Sequence, residues 1–186
     1  GLGDVYKRQT MMKAPPMAAI LYALEAPKYG GDTLFSNQYL AFESLSVGMK
    51  QMLNGLKAIH NDARVAGPKA GFNSKRTTQV REDDDWTLTE NAHPVVRIHP
   101  ETKRKSLFIN STYVQNIKGM TVEESAAILN YLYEHATKPE FSCRFRWRTG
   151  SVAFWDNRCV QHLAINDSNN ATRRMQRTQL LGNDVL

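Results

Sequence analysis

Apolar positions along this chain fall into short runs separated by turn residues, with one longer helical stripe. Residues 18–24 are continuously apolar behind Pro15-Pro16, which predicts a buried strand. Turn chemistry from Pro27 to Gly31 stops it, and Asp32-Thr33-Leu34-Phe35 resumes extended structure. Ser36 or Asn37 can cap a helix that carries Tyr39, Leu40, Phe42 and Leu45 on one face. A second short helix is predicted over 47–53, closed by Asn54-Gly55, and a strand over 57–60. Over 61–90 the pattern dissolves into Gly, Pro, Lys, Asp and Thr, the signature of a long, lid-like loop.

Two β-rich runs, 94–99 and 106–110, flank Pro100-Glu101-Thr102-Lys103 and predict a hairpin. Thr121-Val122-Glu123-Glu124 spells a capping box. Behind it Val122, Ala126, Leu129, Leu132 and Tyr133 recur at helical spacing until Pro139 forbids continuation. Over 141–147, Phe141, Cys143, Phe145 and Trp147 alternate with Ser142, Arg144 and Arg146, as on a half-buried strand. Gly150 turns the chain into a strand over 151–155, and a last β-rich stretch covers 174–181. Strands outnumber helices and do not alternate with them. The expected fold class is mainly β with helical decoration, a sandwich or barrel rather than a doubly wound sheet.

The length of 186 residues suits one core. The apolar run at 17–24 is far below the roughly 20 residues of a membrane helix. Nothing at the start reads as a secretory signal, so a cytoplasmic location and no membrane partner are expected. Two cysteines, Cys143 and Cys159, cannot frame a disulfide-rich domain. Lys and Arg outnumber Asp and Glu by 24 to 18, a formal net charge of +6. The one dense block mixes Arg64, Lys69, Lys75, Arg76 and Arg81 with Glu82-Asp83-Asp84-Asp85, like a solvated loop. Without aromatic-basic alternation, finger spacing or a basic helix, nucleic acid is not an expected partner. A small anionic organic substrate accounts for the basic excess better.

Of five histidines, His60, His93, His99 and His135 lie on or beside predicted strands and the helix and read as surface or structural groups. His162 differs. It follows Trp155-Asp156-Asn157-Arg158, a polar cluster at the end of an apolar strand, where a strand mouth presents side chains to a cavity. Arg173 and Arg177 come eleven and fifteen residues later in a β-compatible stretch, and positions four apart share one strand face. Two inward guanidiniums need anions, whereas two outward ones need only water. Spacing alone leaves both readings open.

The string Trp155-Asp156-Asn157-Arg158, His162, Arg173, Arg177 and Gly182 resembles the C-terminal signature of the taurine dioxygenase family, which are iron(II)- and 2-oxoglutarate-dependent oxygenases. The likeness extends to Pro15-Pro16, Gly30-Gly31-Asp32-Thr33, His93-Pro94-Val95-Val96-Arg97 and Lys138-Pro139-Glu140-Phe141, and so from about Thr10 to the end of the chain. It implies a double-stranded β-helix, a jelly-roll with an iron site at its mouth. It implies His162 as the distal histidine of a two-His-one-carboxylate triad, which leaves three adjacent positions for 2-oxoglutarate and O2. Arg173, helped by the Thr33 hydroxyl, would hold the distal carboxylate of 2-oxoglutarate. Arg177 would hold the substrate sulfonate, and Tyr113 would line the substrate pocket where the taurine enzyme has Phe. The implied reaction hydroxylates taurine or another sulfonate while 2-oxoglutarate is decarboxylated to succinate. Alkyl sulfates and carboxylates are alternative substrates, and a homo-oligomer is compatible with the family.

The family's other two ligands form a His-x-Asp pair. Gap-free alignment on Pro15-Pro16 and Gly30-Gly31-Asp32-Thr33 puts them at Tyr6 and Arg8, and a guanidinium does not bind iron. The pair is therefore expected to be absent from the chain. Residues 1–9 open with Gly1 rather than Met and do not match the family. They are expected to be foreign sequence joined to a truncated gene, leaving 10–186 as a jelly-roll incomplete at its N-terminus. On that expectation the chain is itself inactive. The alternative is a non-catalytic jelly-roll that binds a small anion through Arg173 and Arg177.

Overall fold

The structure is a computed structural model that describes residues 10–65, 87–168 and 171–182. The expected foreign opening, Tyr6 and Arg8 included, and residues 66–86 of the expected lid lie outside the described residues. Strand β1 (Ala18–Glu25) forms at the first apolar run, and β2 (Thr33–Asn37) leads straight into helix α1 (Gln38–Glu43). Asn37, rather than Ser36, is the cap, because its side chain accepts from the amides of Tyr39 and Leu40. Helix α2 (Val47–Leu53) is capped by Ser46, and Gly55, at a φ of 82°, turns the chain toward β3 (Lys57–Asn61). Strands β4 (Glu90–Pro94), β5 (Val96–Ile98), β6 (Lys105–Leu107) and β7 (Val114–Ile117) follow. Helix α3 (Val122–Ala136) opens with both bonds of the expected capping box and ends before Pro139. Strands β8 (Ser142–Phe145), β9 (Val152–Asp156), β10 (Val160–Ala164) and β11 (Arg174–Leu180) close the described chain.

From β8 onward, successive strands change sheet. One sheet has the order β11-β1-β9 and the other β10-β2-β8, all antiparallel. This exchange at every connection is the double-stranded β-helix. Residues directly opposite across an antiparallel pair share a face. Leu21 therefore points the same way as Ala153 and Arg177, Ala19 as Trp155, and Phe35 of the other sheet as His162. Between the sheets Ala19, Ala23, Trp147, Ala153 and Trp155 are buried, with Leu21, Phe35, Phe145, Val160 and Met175 packed on them. Phe35 lies 5.2 Å from Trp155, and Phe145 4.7 Å from Trp147 in an edge-to-face arrangement.

A second core lies where α3 packs on the sheet β4-β3-β7 and α1 packs on β6 and α3, around Leu53, Leu107, Ile109, Ile117, Leu129 and Leu132. Three sequence expectations change here. Leu40 is 42% exposed, because the six-residue α1 buries Gln38, Tyr39, Ala41 and Phe42 instead. Val122, 57% exposed, stands in the first turn of α3 and points to solvent. Cys143 is exposed because β8 is an edge strand. The bounds expected for the lid are corrected at both ends: Asn61 belongs to β3 and Glu90 to β4, and Asn61 Nδ2 donates to Glu90 Oε2 at 3.1 Å.

His60, His93, His99 and His135 are all buried, so the surface half of their expected reading is excluded. His60 stacks on Phe108 with ring centroids 5.4 Å apart and meets His93 edge-on at 5.2 Å, while its Nδ1 lies 3.0 Å from Thr10 Oγ1. Burial, reinforced by His93, pushes its pKa from 6.5 down to about 3. The folded chain thus keeps His60 neutral where the unfolded chain takes up a proton. Stability from this group is full above about pH 6.5 and is lost as pH falls toward 3, by up to about 1.4 kcal/mol per pH unit. Urea unfolding between pH 7 and 4 should show this slope, and His60→Gln should flatten it even though the variant is less stable overall. An equal slope in the variant would refute the assignment.

Candidate active site at the mouth of the β-helix

His162 is carried by β10, a strand that hydrophobic pattern alone misses because Val-Gln-His-Leu-Ala has no apolar run. Its ring lies 4.8 Å from Trp155 and 6.3 Å from Phe35, on the inner face but reachable by solvent. Loss of hydration, and then the nearby positive charge of Arg177, push its pKa down to about 4. The imidazole is therefore neutral at pH 7, with a lone pair to give. Arg177 lies opposite Leu21 and therefore on the inner face as well. Arg177 as a whole residue is exposed.

The turn from β9 to β10 is braced by its own residues. Trp155 Nε1 donates to Asn157 Oδ1 at 2.8 Å, and Asn157 Nδ2 donates to the Pro16 carbonyl at 3.3 Å. Arg158 grips both oxygens of Asp156, at 2.9 Å and 2.6 Å, and reaches Glu101 at 2.9 Å. His99 Nδ1 accepts from the amides of Glu101 and Thr102, which leaves Nε2 to donate to Asp156 Oδ2 at 3.0 Å. Burial pushes the Asp156 carboxyl up, but the hydrogen bonds from Arg158 and His99 outweigh it and hold the pKa below its usual value. Among the described residues, His99, Asp156 and Cys159 are the only metal-type group of three within 4.8 Å of one another. Both nitrogens of His99 and both oxygens of Asp156 are already engaged, so the group is a brace and not a metal centre.

On the other side, Thr33 is buried and its Oγ1 accepts from Trp147 Nε1 at 2.9 Å. The Arg173 guanidinium lies 5.9 Å from the centre of the same indole, and its Nε donates to the Gly31 carbonyl at 3.0 Å. The Gly31 amide donates to Asp167 Oδ1 at 2.7 Å. Arg144 joins Asp167 to Asp32, its Nε lying 2.6 Å from Asp32 Oδ2. Burial lowers the pKa of Arg173. One expectation is corrected: Arg173 precedes β11 rather than lying within it, and a register irregularity separates Ala23 from Glu25, so strand alternation does not relate Arg173 to Arg177. Tyr113 sits in the turn before β7, its amide bonded to Asn110 and its carbonyl to Asn61. Sequence reading overlooked Trp147, Asp167 and Arg144. Only the Gly30-Gly31 pair, both at positive φ, hinted that something packs close there.

For iron, His162 fits as one ligand, being neutral and accessible. Among the described residues it belongs to no group of three potential ligands. The triplet His60-Asn61-Asp62 does spell His-x-Asp, which corrects the expectation that the chain lacks the pair. It cannot serve that site: His60 is wholly buried against Phe108 in the third sheet, and Asp62 Oδ1 accepts from the Thr89 amide at 3.1 Å. The described residues therefore do not complete a three-ligand iron site.

Residues 8–179 match the family described as taurine catabolism dioxygenase TauD, TfdA family. The chain belongs to this family. It is 36% identical over 174 residues to an alkylsulfatase of Acinetobacter baylyi, covering 93% of this chain and 55% of that protein. It is 34% identical over 174 residues to an alpha-ketoglutarate-dependent sulfate ester dioxygenase of Pseudomonas putida, covering 93% and 58%. The crystal structure of a taurine dioxygenase from Burkholderia xenovorans superposes with a TM-score of 0.78 at 38% identity, covering 95% of this chain and 56% of that one. The chain thus spans little more than half the length of these relatives. The TauD, TfdA match accounts for the jelly-roll. No helix among the described residues is long and apolar enough to cross a membrane.

A Cβ at Gly30 would stand 2.5 Å from the Asp167 carbonyl oxygen, at a φ of 76° that side chains rarely adopt. Gly30→Ala should therefore destabilise the chain by about 1–3 kcal/mol. Gly48→Ala, in α2 with nothing within 4 Å, should be neutral or stabilising by up to about 1 kcal/mol. Denaturant midpoints compare the two, and similar values would show that the Asp167 contact does not constrain the turn.

Proposed function

We propose that this chain is the β-helix part of an iron(II)- and 2-oxoglutarate-dependent dioxygenase that hydroxylates a small anionic substrate, and that the chain on its own is inactive. Taurine or another sulfonate is the first choice, and an alkyl sulfate or carboxylate the second. The observation that carries this reading is the meeting of Thr33 and Arg173 on Trp147, in a β-helix whose inner face also presents His162 and Arg177. Similarity to an alkylsulfatase, a sulfate ester dioxygenase and a taurine dioxygenase supports the substrate class. The family's metal, with 2-oxoglutarate and O2, supplies the oxidising chemistry when bound.

The chain's own residues position and shield. The planar fork of Arg173 suits the distal carboxylate of 2-oxoglutarate, and the Thr33 hydroxyl adds a neutral donor. Arg177, exposed at the mouth, offers its guanidinium to a sulfonate, sulfate or carboxylate. Phe35, Phe145, Trp147 and Trp155 form an apolar wall behind these groups that excludes water. Neutral His162 contributes one metal ligand, and Tyr113 is assigned to the substrate pocket on family resemblance. For a sulfonate, hydroxylation beside sulfur gives a product that breaks down to sulfite and an aldehyde, and 2-oxoglutarate leaves as succinate and CO2.

Anaerobic titration of the 186-residue chain with Fe(II) and 2-oxoglutarate should give no charge-transfer band, and the chain should release no succinate in air. Robust turnover would show that the metal ligands are misassigned. In a longer protein that supplies the remaining ligands, Arg173→Ala should raise the KM for 2-oxoglutarate roughly 10- to 100-fold, and Arg177→Ala the KM for the primary substrate by a similar factor. Unchanged constants in both variants would remove the two anion assignments. A non-catalytic anion-binding role draws support from His162 being the one iron ligand assigned among the described residues, beside Arg173 and Arg177; tight, metal-independent binding of 2-oxoglutarate in calorimetry would select it.

A further inference from the structure

We infer that Trp147 is a positioning residue for the dicarboxylate: its N–H sets which way the Thr33 hydroxyl points, and its ring face seats the Arg173 guanidinium. The inference rests on the proposed 2-oxoglutarate role of Thr33 and Arg173. Trp147 is 4% exposed and lies between β8 and β9. Its Nε1–H can only donate, and it donates to Thr33 Oγ1. A hydroxyl has one hydrogen and two lone pairs. With one lone pair occupied by Trp147, Thr33 retains its hydrogen, and among the described residues no acceptor takes it. Thr33 is paired on both sides, with Phe145 and Ala164, so rotation of the hydroxyl is its main remaining freedom. An anion reaching this oxygen meets a donor.

Arg173 is held by the same ring. Its 5.9 Å separation from the indole centre falls within cation–π range, roughly 6 Å, and its Nε is occupied by the Gly31 carbonyl. The terminal nitrogens of the fork have no acceptor among the described residues. One buried indole thus aligns a neutral donor and a cationic donor for one ligand group. That pairing favours a carboxylate over a methyl or amide terminus.

The test uses the whole chain without metal and follows the Trp147 indole N–H resonance, assigned by its loss in Trp147→Phe. The probes are 2-oxoglutarate at millimolar concentration and 2-oxopentanoate, which has the same carbon count and a methyl terminus. 2-Oxoglutarate should move the resonance, because a bond given by Thr33 strengthens the one it accepts, and 2-oxopentanoate should not. Trp147→Phe and Thr33→Val should each weaken 2-oxoglutarate about five- to tenfold, while Thr33→Ser, which keeps the hydroxyl, should stay within about twofold. If Arg173→Ala abolishes binding but Trp147→Phe and Thr33→Val bind like the parent, the inference is overturned and the functional reading stands. If the parent fails to distinguish the two keto acids, the assignment of Thr33 and Arg173 to the distal carboxylate falls and takes the inference with it, whereas the dioxygenase reading is judged by its own turnover test. Should Trp147→Phe not fold, the nearly isosteric Thr33→Val and the parent's resonance shift still decide.

Discussion

Two three-stranded sheets that exchange strands at successive connections are held together by what their inner faces share. Here that is a set of aromatic rings, with Phe35 at the centre. It stands on the middle strand of its sheet and lies within 6.4 Å of Phe145, Trp155 and His162. Burying four such rings stabilises the interface by several kcal/mol on area alone, at about 25 cal/mol per Å². The same contacts fix the site. Trp155 is at once a core residue and the wall against which the His162 imidazole rests, and Trp147 is at once core and hydrogen-bond donor. Core and site cannot be varied independently in this fold.

The polar braces differ in what they contribute. Arg158 has a side chain only 10% exposed and grips Asp156 with two nitrogens, the geometry in which an ion pair contributes most. Arg144 is 47% exposed, so its bonds to Asp32 and Asp167 contribute about 0–1 kcal/mol each at most. Their effect is geometric. They keep Asp167 under the Gly31 amide, and the Gly31 carbonyl in turn keeps Arg173 beside Trp147. A weak surface pair can thus determine where a functional guanidinium sits.

Local physics made most strands and all three α-helices legible in the sequence. The Thr121 capping box and the bounds of α2 follow from capping chemistry and periodicity alone. β7 and β10 were not legible, because Val-Gln-Asn-Ile and Val-Gln-His-Leu-Ala owe their extended form to partners, β3 and β2, that come from distant parts of the chain. The strand that bears His162 was therefore found through a family signature and not through its pattern. Arg173 was legible as a charge in the right stretch, but its place depends on a carbonyl 142 residues away. Trp147 read as one more inward aromatic; its role arises only where β2 brings Thr33 beneath its N–H. The His60-Asn61-Asp62 triplet shows the converse, a motif whose spelling is right and whose surroundings are wrong.

The neck that joins β3 to β4 has a wider consequence. Asn61 is bonded to Glu90, and Asp62 to the amide of Thr89, so the strand pair is held by side chains where the chain leaves β3 and enters β4. The end of the β3–β4 pair is therefore clamped by two side-chain bonds at and beyond its last backbone rung, which resists fraying where a strand pair is otherwise weakest.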